Sequence, residues 1–383
     1  MELILRNECV LTGAKDLELL LKLESFPISM YTVDQNEDHT DLKTDMQWWI
    51  SRSTGGIQLN PLVPLEILYN KGHGSGAVGN IWQQHHAEFA DFISRCEVTK
   101  VLEIGAGHGA LARLFVDMHP SAHYYILEPN LPDWSHERVT MYSGMFDGTF
   151  VMPFPIEAVV HSHTFEHMYE PRKFLEHIAE FLSEGQWHIF SLPRLEVWLA
   201  CGYSNALNFE HTLYLTEGNV DYLLHTSGLE VVHKTYFRQD HSIFYATRKC
   251  SSLKMKAIVP SDFLLNRTVF LSWVESTKKF VANTNQKVAQ HAGSGKIFVF
   301  GGHIFTQFLI GFGLETAGIH GILDNDSTKV GRRLYGTTLL IFCPVSELKE
   351  SAGAAVILRA GPYNEEIKQG IRASIKADVD FWE

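Results

Sequence analysis

The stretch that decides the fold is VLEIGAGHGAL at residues 101–111. Its apolar start is typical of a buried strand, which we expect to end at Glu103. Gly105, Gly107 and Gly109 follow, and glycines at this spacing let the backbone turn sharply and approach a ligand at the start of a helix. Open α/β sheets bind their ligands at such turns. The stretch therefore predicts a nucleotide-like cofactor site in an α/β domain.

Short apolar runs alternate with helical patterns on both sides of this stretch, which favours mostly parallel sheets covered on both faces. We expect strands at 100–104, 123–127, 158–160, 188–190, 229–232 and 244–247. An amphipathic helix is predicted over 261–290, and strands follow at 296–300, 319–323, 339–341 and 355–358. Residues 1–75 favour turns and short strands. The pattern predicts a small N-terminal domain (1–75), a Rossmann-like domain (76–250) and a second Rossmann-like domain (251–383).

Composition excludes several classes of protein. The 383 residues are 45% hydrophobic and carry a net charge of −12, so the chain should fold, and its surface should repel nucleic acid and anionic membranes. The five cysteines never form a C-x-x-C pair, which argues against a disulfide framework and a thiolate zinc site. The N-terminus lacks the pattern of a signal peptide. We expect a cytoplasmic protein with a small-molecule substrate.

The glycines alone leave the cofactor open. Gly105, Gly107 and Ala110 also satisfy the dinucleotide fingerprint, and Glu128, at the end of the next strand, suits ribose hydroxyls in either case. Three features favour S-adenosylmethionine over NAD: an acidic residue two positions before the first glycine, the G-x-G-x-G spacing, and a fourth strand that leads into VVHSHTFEHM at 159–168.

This pattern resembles the class I methyltransferases, whose motif E-x-G-x-G-x-G is matched from Glu103 to Gly109. The resemblance implies that the glycine loop holds the aminoacyl part of S-adenosylmethionine, that Glu128 binds both ribose hydroxyls, and that Met145 or Phe146 flanks the adenine. The expected cofactor-binding residues are Glu103, Gly105, Ala106, Gly107, Gly109, Glu128, Pro129, Met145, Phe146 and His163.

A closer resemblance covers nearly the whole chain. The domain order looks like that of the three-domain sugar C-methyltransferases, which add a branch methyl group to nucleotide-linked sugars. Three segments carry the resemblance: NFEHTLYL at 208–215, ILDNDSTKVG at 322–331 and TFEH at 164–167, where that family places a histidine base. The resemblance implies a nucleotide sugar as substrate.

The chain departs from that family at its N-terminus. The family's zinc module has two C-x-x-C pairs, but the matching positions here are Cys9, Thr12, Ser51 and Thr54, and one thiol cannot hold zinc. We therefore expect a degenerate domain without metal, kept by packing or by polar contacts. Asn208 replaces a family tyrosine, and the tyrosine-rich segment before the central domain is reduced to residues 69–73, which leaves carbon and oxygen methylation open.

Methyl transfer needs a group that removes the acceptor's proton, and histidine, with an unperturbed pKa of ~6.5, suits this task at neutral pH. The candidates are His167 and His211, with Glu210 orienting or charging its neighbour. His161, His163 and His167 form an H-x-H-x-x-x-H pattern without a further carboxylate or cysteine, so we expect no metal site.

Two other functions remain compatible with the sequence. One is a nicotinamide-dependent sugar oxidoreductase that uses either this glycine loop or the later turn at 301–303. The other is a non-catalytic nucleotide-binding protein, which the missing cysteines would allow.

Overall fold

The computed structural model describes residues 1–35, 41–69, 79–203, 205–253, 257–291, 293–375 and 379–383. The N-terminal elements are β1 (Leu17–Pro27), β2 (Thr32–Val33), β3 (Lys43–Ser51), β4 (Ile57–Leu59) and α1 (Leu65–Leu68). The central elements are α2 (Asn80–Ser94), β5 (Lys100–Ile104), α3 (Ala110–Met118), β6 (His123–Glu128), β7 (Val139–Ser143), β8 (Ala158–Ser162), α4 (Pro171–Phe181), β9 (Trp187–Pro193), α5 (Leu195–Ala200), β10 (Leu213–Tyr214), α6 (Glu217–Thr226), β11 (Leu229–Phe237) and β12 (Ser242–Lys249). The C-terminal elements are α7 (Phe263–His291), β13 (Ile297–Phe300), α8 (Ile304–Gly311), β14 (Gly321–Leu323), β15 (Arg333–Leu334), β16 (Ile341–Phe342), α9 (Pro344–Lys349), β17 (Ala355–Ile357), α10 (Asn364–Ser374) and β18 (Asp380–Trp382).

The central sheet has seven strands in the order β11-β12-β9-β8-β5-β6-β7. The five strands from β9 to β7 run parallel, and β12 and β11 form an antiparallel hairpin at the other edge. Leu102 and Phe190 point into the hydrophobic core on one face of the sheet. Val101 and Ile189 point into the core on the other face. The predicted doubly wound α/β fold is confirmed. Strand β5 spans Lys100–Ile104, the range that its apolar run predicts.

The chain order reverses between β5 and β8 in this sheet. Strands β6 and β7 continue to one side of β5, whereas β8 and β9 continue to the other. Ligands of open α/β sheets bind at the carboxyl ends of the strands that flank such a switch point. The glycine turn follows β5 and the segment from His163 to His167 follows β8, so the fold brings both predicted motifs to the same crevice.

The N-terminal sheet has the order β1-β3-β4-β10, and all its pairs are antiparallel. Strands β1 and β3 are 11 and 9 residues long, which is longer than the short strands expected there. Met46, Trp48 and Ile50 are fully buried along β3 and contribute to a core shared with α5, α7 and α8. Since β10 follows His211 in the chain, its pairing with β4 fixes the His211 segment against the N-terminal domain.

The C-terminal sheet is parallel throughout, in the order β16-β14-β13-β17-β18. The predicted amphipathic helix appears as α7 and contributes Val281 and Val288 to one face of this sheet. Among the described residues, no helix is both long and apolar enough to cross a membrane.

A buried histidine pair lies in the central sheet. Nε2 of His161 on β8 and Nε2 of His188 on β9 are 2.9 Å apart, and both side chains are fully buried. Burial lowers the pKa of His188 to about 3 and holds the pKa of His161 well below its usual range. Both rings are therefore neutral in the folded protein at neutral pH.

Acid should destabilise the protein through this pair. Below pH ~6.5 the unfolded chain binds protons that the folded pair excludes, so the free energy of unfolding falls as the pH is lowered toward 3. Each histidine contributes about 1.4 kcal/mol per pH unit in this range. The variant His161→Leu/His188→Leu should lose less stability between pH 7 and pH 5 than the wild type, measured by denaturant unfolding.

The variant His123→Gln, which changes an exposed histidine at the start of β6, is the control for replacing a histidine elsewhere in the sheet. An identical slope in the double variant and the wild type would show that the pair does not govern acid sensitivity.

Candidate active site

The glycine turn adopts backbone conformations that need glycine. Gly105, Gly107 and Gly109 have φ angles of +72°, +53° and +68°. A Cβ atom on Gly105 would lie 3.1 Å from Oγ1 of Thr164, which shows how closely the turn approaches the segment after β8. Helix α3 begins directly after Gly109. The turn therefore presents backbone N–H groups at a helix start, as expected for a cofactor cradle.

Glu128 spans this turn from the end of β6. Its Oε2 accepts a hydrogen bond of 3.3 Å from the N–H of Gly107, and its Oε1 accepts one of 3.0 Å from the N–H of Asn130. Two charge-assisted bonds fix the carboxylate beside the glycine turn. A carboxylate so placed can accept hydrogen bonds from two neighbouring hydroxyl groups, such as those of a ribose.

Glu103 is 2% exposed beneath the turn. Burial, together with the negative charge of Glu128, raises the pKa of its carboxyl group to about 8. Within the described residues, Oε2 of Glu103 has no hydrogen-bond partner. A buried carboxyl without a partner at this atom suits a cationic ligand group, because such a group supplies the missing donor and charge.

Trp134 covers the turn and was not predicted from the sequence. Its Nε1 donates a 2.9 Å hydrogen bond to the carbonyl oxygen of His108, and the guanidinium of Arg113 lies 4.2 Å from the ring centroid. A Cβ atom on Gly109 would come within 2.5 Å of this ring. Trp134 therefore packs against Gly109 at the end of the turn and stabilises the turn through its hydrogen bond to His108.

Gly109→Ala should weaken cofactor binding at least about tenfold. A left-handed conformation costs a residue with a side chain about 1–2 kcal/mol, and the new Cβ also displaces the Trp134 ring. Titration with S-adenosylhomocysteine measures the effect. Gly148→Ala is the matched control, because a Cβ there meets nothing within 4 Å. Equal losses in both variants would contradict this account of the turn.

The predicted adenine-flanking residues lie on the loop after β7. Met145 is 51% exposed, whereas the Phe146 ring packs against α4, 4.6 Å from His177 and 5.3 Å from Phe181 between centroids. Pro129 is exposed beside Glu128. Ala106 lies partly buried within the turn.

His163 contacts polar and aromatic side chains of α2 and β12. Its Nε2 is 2.9 Å from Oγ of Ser242, and its ring contacts Trp82 and His85 at centroid distances of 4.8 and 5.1 Å. Burial lowers its pKa to about 3, so the ring is neutral at neutral pH. Its φ angle of +50° directs the chain from β8 toward His167.

Glu166, His167 and His211 form what we call the Glu-His-His cluster. A carboxylate oxygen and one ring nitrogen of each histidine all lie within 4.8 Å of one another. The two histidine rings meet edge to face at 5.0 Å, and Nδ1 of His167 is 3.2 Å from the hydroxyl of Tyr69. The rest of the predicted segment, residues 70–73, lies outside the described residues. The structure thus brings both candidate bases together and adds Glu166, which is not among the residues predicted from the sequence.

Asn208 shapes the turn that carries Glu210 and His211. Its Oδ1 accepts hydrogen bonds of 2.8 and 2.7 Å from their backbone N–H groups. Nδ1 of His211 is 3.0 Å from the carbonyl oxygen of Ala206 and donates to it, so Nε2 carries the lone pair of the neutral ring. Burial lowers the pKa of His211, which favours this neutral form.

The three histidines of the H-x-H-x-x-x-H pattern do not converge. His161 lies in the sheet beside His188, His163 contacts Ser242, and His167 belongs to the Glu-His-His cluster.

In the N-terminal domain, Sγ of Cys9 lies 3.4 Å from Oγ1 of Thr54. Two of the four positions compared with zinc ligands, Cys9 and Thr54, are thus in contact with each other.

The C-terminal domain repeats the strand and glycine turn. The N–H of Gly302 donates a 2.8 Å hydrogen bond to Oδ2 of Asp324, as Gly107 does to Glu128. Asp324 also contacts Lys329 at 3.0 Å. The nearby cations Arg332 and Arg333 are paired with Asp34 and Asp41, so aspartates offset the local basic charge.

Residues 81–234 match the protein family described as a methyltransferase domain. No curated protein matches the chain. Human N-acetylserotonin methyltransferase in complex with S-adenosylmethionine is 16% identical, with a TM-score of 0.39 over 45% of this chain and 53% of that one. An O-methyltransferase family protein from Burkholderia thailandensis is 15% identical, with a TM-score of 0.36 over 44% and 56%. Mitomycin 7-O-methyltransferase is 17% identical, with a TM-score of 0.37 over 48% and 57%. The chain thus covers about half the length of each of these proteins.

The matched range includes the glycine turn, Glu128 and the Glu-His-His cluster. Its residues fit a methyl donor with a ribose and a positive charge, since Glu128 lies beside the turn and Glu103 retains a carboxyl oxygen without a partner among the described residues. Residues 81–234, which hold the glycine turn and the Glu-His-His cluster, therefore form a domain similar to the methyltransferase domains of this family.

Proposed function

We propose that this chain is a class I S-adenosylmethionine-dependent methyltransferase. Its acceptor is a carbon or oxygen atom of a nucleotide-linked or otherwise activated sugar, and a histidine removes the acceptor's proton. The observation that carries the proposal is the continuity of residues 164–167. Thr164 lies against Gly105 at one end, and His167 enters the Glu-His-His cluster at the other. The glycine turn and the candidate base His167 are thus joined by a segment of four residues, which supports their acting in one site.

When bound, S-adenosylmethionine would supply an electrophilic methyl carbon. The acceptor would bond to this carbon, and the electrons of the broken carbon–sulfur bond would stay on sulfur. The chain's own residues align the reactants and move the proton. Glu128 would accept hydrogen bonds from the ribose hydroxyls and so orient the donor. His211 offers the lone pair of Nε2, because its Nδ1–H is held by Ala206. His167, beside the Tyr69 hydroxyl, is the second candidate base, and Glu210 is expected to orient or charge its neighbour.

A sugar acceptor is supported by the polar groups around the cluster. The hydroxyl of Tyr69 and the ring nitrogens of the two histidines offer both donors and acceptors to a polyhydroxylated ligand. The segments 208–215 and 322–331, which resemble the sugar C-methyltransferases, lie in the His211 turn and in the C-terminal domain. We also propose three domains, with boundaries near residues 75 and 250. A cytoplasmic location is proposed as well, and it agrees with the five cysteines being free thiols.

The test is a panel of nucleotide sugars incubated with the full chain and S-adenosylmethionine, followed by mass spectrometry. We expect one sugar to gain a single methyl group. The His167→Gln protein serves as the negative control. Methylation of another class of compound, with every nucleotide sugar unchanged, would overturn the sugar assignment but not the methyltransferase assignment.

A further inference from the structure

The buried carboxylate of Glu166 lies among three histidines. Its Oε1 is 3.5 Å from Nδ1 of His163 and 3.9 Å from Nε2 of His167, and one of its oxygens lies within 4.8 Å of a ring nitrogen of His211. We propose that Glu166 is a positioning residue, whose negative charge stabilises the imidazolium that forms when a histidine of the Glu-His-His cluster takes the acceptor's proton. This role rests on the proposed function and is distinct from that of Glu210.

The hydroxyl of Ser242 sets the tautomer of His163. Its Oγ lies 2.9 Å from Nε2 of His163 and 2.6 Å from Nδ1 of His241, and a hydroxyl has one proton, so it donates to one ring and accepts from the other. Both rings are neutral at neutral pH, because burial lowers their pKa values to about 3. Nε2 of His241 is buried without a partner among the described residues, and a buried N–H without an acceptor is rarer than a buried acceptor atom without a donor. His241 therefore donates from Nδ1 to Ser242, and Ser242 donates to Nε2 of His163.

The proton of His163 is then on Nδ1, the ring nitrogen that faces Glu166. Because this ring is neutral, its N–H dipole orients the carboxylate without cancelling the negative charge. The charge remains available to the two histidines of the cluster. In many acid–base sites a carboxylate acts in this way, since it stabilises the imidazolium that forms beside it.

The surroundings of Glu166 strengthen the effect of its charge. The side chain is 2% exposed and borders a narrow internal space whose other walls are apolar: Phe165, Leu192, Pro193, Leu195, Leu213 and Leu215. Charges interact more strongly where water is excluded. Burial lowers the pKa of His211, and the charge of Glu166 is the largest effect that opposes this. The carboxylate is therefore placed to favour a proton on the neighbouring ring.

The titratable groups around the cluster lie on the segment of Glu166, on the turn before β10 and directly after α1. They are His163, His167, Glu210, His211 and Tyr69. Burial raises the pKa of Tyr69 well above its usual range, so its hydroxyl stays neutral. Glu210 also raises the pKa of His211. The variant Glu166→Gln thus removes one of two negative charges and keeps the shape of the side chain.

Nuclear magnetic resonance of the full chain with isotope-labelled histidine tests the proposal without a substrate. The signals of His167 and His211 are assigned by their absence in His167→Gln and His211→Gln. In Glu166→Gln we expect at least one of these two rings to have at least about tenfold lower affinity for a proton, and so a smaller protonated fraction at the lowest pH at which the wild type and the variant remain folded. Circular dichroism verifies folding. Glu170→Gln, which removes an exposed carboxylate just before α4, should titrate like the wild type.

Steady-state kinetics with the acceptor sugar gives a second readout. Glu166→Gln should lower kcat at least about tenfold and move the acid limb of the pH profile to lower pH, because the base loses affinity for the proton. Its affinity for S-adenosylhomocysteine should stay near that of the wild type, which a general loss of packing would not allow. Glu170→Gln should leave both kcat and the acid limb unchanged.

Equal protonated fractions in the wild type and in folded Glu166→Gln, including none in either, would overturn the proposal. An unchanged kcat with an unchanged acid limb would overturn it as well. Lower proton affinity in the variant together with a shifted acid limb supports it. Failure of the sugar panel leaves the resonance result unaffected, whereas equal protonation leaves the methyltransferase and sugar assignments standing.

Discussion

Glu128→Ala is expected to reduce the affinity for S-adenosylmethionine about 100-fold or more. Hydrogen bonds to a charged group contribute about 1.5–3 kcal/mol each, and this carboxylate is placed to receive two ribose hydroxyls. The substitution also releases the N–H groups of Gly107 and Asn130, which the carboxylate now holds. Calorimetry with S-adenosylhomocysteine measures the loss directly.

Glu137→Ala is the control for this change, because Glu137 is an exposed glutamate in the loop that follows β6. Its affinity should equal that of the wild type. If folded Glu128→Ala binds the ligand as tightly as the wild type, the ribose is not held by this carboxylate.

The second large effect is expected at the candidate bases. His167→Gln and His211→Gln should each lower kcat by about 10²–10⁴, the usual contribution of a general base. Affinity for the cofactor should stay near normal, because neither side chain belongs to the glycine turn. Steady-state kinetics with the acceptor sugar measures kcat, and calorimetry with S-adenosylhomocysteine measures the affinity for the cofactor.

His233→Gln removes an exposed histidine on β11 and should leave kcat unchanged. Full activity in either cluster variant would remove that histidine from the mechanism. A parallel loss of cofactor affinity would show a structural effect instead.

The sequence predicted the parts of the molecule that repeat local patterns. The apolar run before Gly105 forms β5, the glycines adopt positive φ, and α7 follows its amphipathic period. Strand β7 was missed because its residues are only partly buried or exposed, so the apolar pattern is weak. The apolar pattern of the sequence therefore predicts the strands of the central sheet except the edge strand β7.

The site could be predicted only in part, because long-range contacts complete it. The motif TFEH indicates His167 as a candidate base. The burial of Glu166, the residue before it, depends on packing against β9 and β10. Trp134 meets Gly109 from a loop 25 residues further on, and no local pattern marks it. The pairing of β10 with β4 joins segments more than 150 residues apart, and it places His211 beside His167.

The central claim is that the glycine turn and Glu128 hold a methyl donor rather than a nicotinamide cofactor. Calorimetric titration of the full chain with S-adenosylhomocysteine and, separately, with NAD tests it most directly. The account predicts one-to-one binding of S-adenosylhomocysteine, lost in Glu128→Ala, and no binding of NAD. Binding of NAD at the Glu128 site, with S-adenosylhomocysteine excluded, would contradict it.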